Sequence, residues 1–247
     1  MIDATTLVIL ATFLLAGLVK GVIGLGLPTV SLAILTVALD LPSAMALLLV
    51  PSFVTNLWQA MVGGNAWLIL TRTWPFLLMA TATVWIGAQA LKHLQLSMLS
   101  ALLGALLAVY AIASLAGLRL SFSARRATWG GAVLGAVNGV LTGMTGSFVV
   151  PGVIYLQALG FSRDALIQAM GMLFALSTLA LGLSLQSINM LGGAQIVDSS
   201  IALLPAIAGM MLGQRIRRRI SEPLFRKIFF ASLLALGAYI IASAAGF

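Results

Sequence analysis

The sequence predicts an all-α polytopic membrane protein built from two inverted repeats, each a re-entrant or broken helical hairpin followed by three transmembrane helices. Three observations predict it. Only 7% of the residues are charged and the mean hydropathy is +1.16, whereas soluble domains carry roughly 25% charged residues. Ten apolar segments can be marked, in two sets of five. Finally, two glycine-rich stretches interrupt them: Lys20-Gly21-Val22-Ile23-Gly24-Leu25-Gly26-Leu27-Pro28 and Asn138-Gly139-Val140-Leu141-Thr142-Gly143-Met144-Thr145-Gly146-Ser147. A backbone break exposed to lipid costs several kcal/mol for each unpaired group, so such stretches persist only when packed in protein or lining a wet cavity.

Taken in order, the first set covers about 7–19, 27–39, 43–62, 73–91 and 96–118. The second covers about 127–137, 147–159, 165–187, 194–213 and 224–246. The first two segments of each set are too short for a hydrocarbon core that needs roughly 20 helical residues. The other three are long enough. The sets also match locally. Lys20-Gly21-Val22-Ile23 aligns with Asn138-Gly139-Val140-Leu141, Asp40-Leu41-Pro42-Ser43-Ala44 takes the place of Gly160 through Ala165, and Ile86-Gly87 corresponds to Leu212-Gly213. The chain thus reads as one membrane domain, 1–247, with repeats at about 5–118 and 127–247.

Basic residues set the orientation. With each short pair entering and leaving on one face, each half crosses three times. Arg72, Arg119, Arg125, Arg126, Arg163, Arg215, Arg217, Arg218, Arg219, Arg226 and Lys227 then face the cytoplasm and only Lys92 faces outward, as the positive-inside rule requires. Both termini are expected outside. The opening Met1-Ile2-Asp3-Ala4 lacks the basic region of a cleavable signal peptide, so the first apolar run is expected in the mature chain. Trp67, Trp74 and Trp129 sit near predicted helix ends, as in an aromatic belt.

Composition excludes several functions. The net charge of +8 comes mostly from short loops between apolar runs, which argues for membrane topology rather than nucleic-acid binding. There is no cysteine, and His93 is the single histidine. No paired carboxylates, metal-ligand spacing or nucleophile–base arrangement is present. Neither an enzyme nor a metal or other cofactor is expected.

Lys20 is the sharpest candidate. A lysine at membrane depth costs at least about 2.5 kcal/mol. Two readings stand: a fixed charge attracting an anionic substrate, or a side chain that snorkels to an interface. Pro28 and Thr29 open segment 27–39 and Ser147 opens 147–159, as helix starts do. The free amides and positive dipole ends at these starts are natural anion cradles. Asn138, Thr142, Thr145 and Ser147 supply further donors, and Gly21, Gly24, Gly26, Gly139, Gly143 and Gly146 allow close backbone approach. Asn56, Gln59 and Gln168 have two readings, interhelical hydrogen bonds and cavity lining. Asp40 and Asp164 are expected as caps, and Asp198 as a helix-dipole partner or a carrier of a coupling proton.

At these breaks the sequence resembles the TauE/SafE family of membrane transporters. The resemblance is carried by Ala16-Gly17-Leu18-Val19-Lys20-Gly21-Val22-Ile23-Gly24-Leu25-Gly26, Gly135-Ala136-Val137-Asn138-Gly139 through Gly143 and Gly146, Gly87 to Lys92, and Gly213-Gln214-Arg215-Ile216-Arg217-Arg218-Arg219. It implies a multi-pass transporter of the cell (inner) membrane that exports sulfite, a short sulfonate such as sulfoacetate, or a related acid. The expected mechanism is secondary transport by alternating access, with the anion held between the two breaks and a proton or cation as possible coupling partner. A passive anion channel on the same scaffold is the alternative. Leu27-Pro28 departs from the further glycines of many relatives, and Lys20 is not expected in every member.

Overall fold

The computed structural model describes residues 3–117, 124–217 and 219–246, so Arg119 and Arg218 of the topology argument lie outside the described residues. Among the described residues the chain is all-helical: α1 (Ala4–Ile23), α2 (Leu27–Ala38), α3 (Leu41–Leu47), α4 (Leu49–Met61), α5 (Ala66–Ala82), α6 (Val84–His93), α7 (Leu96–Leu115), α8 (Ala124–Thr145), α9 (Gly152–Ala158), α10 (Arg163–Ser187), α11 (Gly193–Arg217) and α12 (Glu222–Ala244). Six stretches, 4–23, 66–93, 96–115, 163–187, 193–217 and 223–244, are long and apolar enough to cross a membrane. The pair α3 and α4 makes a seventh if it forms one span. The protein is a multi-pass membrane protein.

The expected short segments 7–19 and 127–137 are the first correction. α1 has 20 residues and α8 has 22, roughly 30 Å or more at 1.5 Å per residue. Neither is a half-helix. Both continue through the glycines that were expected to break them, because those glycines are packing surfaces. Segment 73–91 likewise starts earlier, at Ala66. The polar Thr71 and Thr73 stay helical by donating to their own helix, at Trp67 O (2.9 Å) and Ile69 O (2.7 Å).

The helices gather into two compact units. The first comprises Met1–Pro51, Gln95–Gly117 and Leu191–Phe247. Inside it α1 lies along α11 and α7 along α12. A methyl group on Gly17 would strike the carbonyl of Ala206, and one on Gly21 that of Met210; from the other side, Gly209 faces Leu14 O and Gly213 faces Leu18 O. Numbers rise together on both helices, so the pair is parallel and packs backbone against backbone. Gly104 and Gly237 likewise bring the backbones of α7 and α12 into contact.

The second unit comprises Ser52–Leu94 and Leu118–Met190. Here α8 carries glycine at every fourth position, 131, 135, 139 and 143, and lays that column on α5 and α6. Gly135 meets Phe76 O, Gly139 meets Ala80 O, Gly143 meets Val84 O, and Gly87 meets Val140 O in return. Small residues at this spacing let helices approach closely in lipid.

The two units use one register. The contact Gly17–Ala206 corresponds to Gly139–Ala80, Gly21–Met210 to Gly143–Val84, and Gly213–Leu18 to Gly87–Val140. The alignment of Lys20 with Asn138 is therefore one helical turn out, and the residue in the place of Lys20 is Thr142. The same correction applies downstream. Asp40 caps α3, accepting from Ser43 N at 2.7 Å and from the Ser43 hydroxyl at 2.9 Å. Its counterpart is Ser162, which accepts from Ala165 N at 3.4 Å, while Asp164 lies inside the first turn of α10. Asp40→Ala is expected to cost about 1 kcal/mol, read as a modest fall in the unfolding midpoint.

Candidate functional site

In the first unit the break runs from Gly24 to Gly26. Gly24 ends α1 in the left-handed region (φ 82°), its amide donating to Lys20 O at 2.7 Å. Gly26, also left-handed (φ 111°), starts α2. A side chain is strained at either angle, which is why both positions are glycine. Pro28 in the first turn has no amide to leave unpaired, and Thr29 follows it. Lys20 lies one turn before the break with 4% of its surface exposed. It is enclosed by protein rather than reaching out along the surface as a snorkelling lysine does. Gly21 does not face a ligand, since the α11 backbone fills the space before it.

In the second unit α8 continues past Asn138, Gly139, Thr142 and Gly143, and the break is 146–151. Gly146 is left-handed (φ 71°). Ser147 does not open a helix. Its carbonyl accepts from the Thr142 hydroxyl at 3.0 Å, and its amide donates to Thr145 Oγ1 at 3.2 Å. The Thr145 hydroxyl donates to Leu141 O at 2.7 Å. The hydroxyl protons of Thr142 and Thr145 are thus spent on carbonyls that shape the break. Gly139 and Gly143 face the backbones of α5 and α6, so their role is packing and not anion approach. Asn138, fully buried, accepts from Gly152 N through Oδ1 at 2.9 Å, while its Nδ2 has no partner.

The short α9 is held at three points. Asn138 takes its first amide, Tyr155 stacks on Phe76 with ring centroids 4.5 Å apart, and Arg72 donates to Leu159 O at 3.3 Å with its guanidinium 5.0 Å from the Phe161 ring centre. The polar residues of the spans serve helix pairing. Gln59 Nε2 donates to Ile167 O at 2.7 Å; Gln168 donates to Ala60 O at 2.9 Å and accepts from Asn65 N at 2.9 Å. Asn56 Nδ2 donates to Ser52 Oγ at 3.0 Å, which pairs with Thr178 Oγ1 at 3.1 Å. Thr178 itself donates to Phe174 O at 2.6 Å, so Ser52 is the donor to it. Asp198 is exposed on α11. Ser52, Ser177 and Thr178 were not singled out from the sequence, where a serine or threonine in an apolar helix carries no special signal.

The first unit therefore holds a buried lysine before a glycine-capped helix start, and the second holds an unspent amide donor beside a glycine-containing break. Groups of these kinds are able to bind anions. The profile of the family described as Sulfite exporter TauE/SafE matches residues 9–240. The chain belongs to the TauE/SafE family. No curated protein and no solved structure matches it. As a TauE/SafE protein it is a membrane transporter and not an enzyme, and the family description points to sulfite or a related anion as cargo.

Proposed function

We propose that this TauE/SafE protein is a secondary exporter of a small oxyanion, sulfite or a short organosulfonate, in the cell (inner) membrane. The observation that carries the reading is the placement of Lys20: a buried ammonium one turn before a glycine-capped break, followed by the start of α2 with Pro28 and Thr29. A buried lysine is costly in a membrane and marks a pathway for charge more often than it serves packing. The amides at the start of α2 carry the positive end of a helix dipole. In the second unit the candidate contacts are Asn138, Gly146 and Ser147. Two inverted repeats, at about 5–118 and 127–247, supply alternating access, with a proton or cation coupled to export.

Vesicles containing the purified protein and loaded with sodium sulfite test this. Efflux is expected to saturate with sulfite concentration and to be inhibited by sulfoacetate. A proton gradient of the correct sign is expected to drive it uphill. Unitary currents without saturation would turn the reading into a passive channel. Vesicles that retain both anions at the rate of protein-free controls would overturn it.

A further inference from the structure

Among the described residues, two buried polar side-chain atoms of the second unit have no hydrogen-bond partner, Asn138 Nδ2 and Ser177 Oγ. Both side chains are fully enclosed. The orientation of the Asn138 amide is fixed, because Gly152 N at 2.9 Å must face the oxygen. The unmatched atom is therefore a donor. Ser177 differs from other hydroxyl residues of this unit for a different reason. Thr73, Thr81, Thr145 and Thr178 each turn the hydroxyl back to the carbonyl four residues earlier, at 2.6 to 2.8 Å. Ser177 does not.

The two side chains come from α8 and α10, which pack against each other in the second unit. A methyl group on Gly152 would lie 2.6 Å from Asn138 Oδ1 and 2.9 Å from Leu173 Cδ2, so Asn138 and Leu173 meet at the same glycine. Ser177 is the next residue on the Leu173 face of α10, one turn along. Phe148, from the break itself, rests on Phe174 with ring centres 5.7 Å apart. The surrounding hydroxyls are already spent: Thr142 on Ser147 O, Thr145 on Leu141 O and Thr178 on Phe174 O. The other unmatched buried side-chain atoms among the described residues, Thr36 Oγ1 and Tyr110 OH, lie in the first unit, towards the end of α2 and within α7.

A buried donor without a partner costs about 1–3 kcal/mol. Two in one unit, with the hydroxyls of Thr142, Thr145 and Thr178 all satisfied, call for an acceptor that the chain does not itself provide. We infer that Asn138 and Ser177 form an uncharged subsite that grips one oxygen of the transported oxyanion by hydrogen bonding alone. This rests on the export reading above and adds a residue to it. Such a subsite selects for ligands with a bare oxygen and is indifferent to what else the anion carries.

The test uses the purified full-length chain, with calorimetric titration of sodium sulfite and of sulfoacetate and an unfolding midpoint without ligand. Ser177→Ala deletes a hydroxyl that bonds to nothing, so the midpoint is expected to stay or rise while affinity falls about tenfold. Asn138→Asp keeps an oxygen for Gly152 N and exchanges the donor for a carboxylate. Affinity is expected to fall by about a hundredfold or more, since a donor is lost and a repelling charge gained. Wild-type affinity in both variants, or a clear drop in the Ser177→Ala midpoint, would overturn the subsite and leave the export reading standing. A wild-type chain that binds neither anion would overturn both.

Discussion

Replacing Lys20 with methionine is expected to lower sulfite efflux from reconstituted vesicles at least tenfold, with the protein still folded. Methionine matches the length of the lysine stem and fills the same enclosed space, so the packing is kept while the charge is removed. Burying an ammonium in a membrane interior costs at least about 2.5 kcal/mol. The loss is therefore expected in transport rather than in yield or unfolding midpoint. A tenfold change corresponds to about 1.4 kcal/mol, a small part of what a buried positive charge contributes to holding an anion at short range. Efflux rate and half-saturation are the two readouts. If both match the wild type, Lys20 is a structural residue and the anion is held elsewhere.

The second large effect is on folding. Gly143→Val is expected to destabilise the protein by about 3 kcal/mol or more and to remove most of it from the membrane. The added Cβ would lie on the carbonyl of Val84 and beside the amide of Ala88, atoms of the α5–α6 backbone that no rotamer change can clear. The helices would have to part, and with them the contacts on either side. Gly130 provides the control on the same helix. A methyl group there meets nothing within 4 Å, so Gly130→Ala is expected to be neutral or to stabilise by about 0.5–1 kcal/mol through helix propensity. Equal behaviour of the two variants, by retention in detergent and thermal unfolding, would remove the packing role of the column.

These two glycines show why the breaks were legible in the sequence and their positions were not. A glycine that lets helices touch and one that reverses the backbone look alike in a sequence. What separates them is spacing. Gly17 and Gly21, Gly209 and Gly213, and the run 131, 135, 139, 143 fall at intervals of four, one face of a helix, and they pack. Gly24, Gly26 and Gly146 fall off those ladders and adopt positive φ. Reading all of them as one feature placed the breaks a turn or more too early and made α1 and α8 look short. It also shifted the alignment of the halves by a turn, pairing Lys20 with Asn138 instead of Thr142.

The membrane class, the helical content and the candidate residues Lys20, Pro28, Thr29 and Asn138 followed from composition and from polar groups in apolar runs. The pairing of α1 with α11 and of α8 with α5 and α6 did not. Both pairs join helices from opposite halves of the chain, and local periodicity does not encode a distant partner. Ser177 was equally silent, because whether a serine hydroxyl bonds its own helix is set by its rotamer and not by its neighbours in sequence.

The glycine columns also have a mechanical meaning. An interface of side chains can slip, because rotamers exchange and cavities open and close. Carbonyls resting on α-carbons have no rotamers to exchange. Each column therefore couples its two helices like a keyed shaft, and a push on one is transmitted to the other without slack. Whatever displacement an export cycle demands inside either unit must then be absorbed by torsions at Gly24, Gly26 and Gly146, the points where the keying stops.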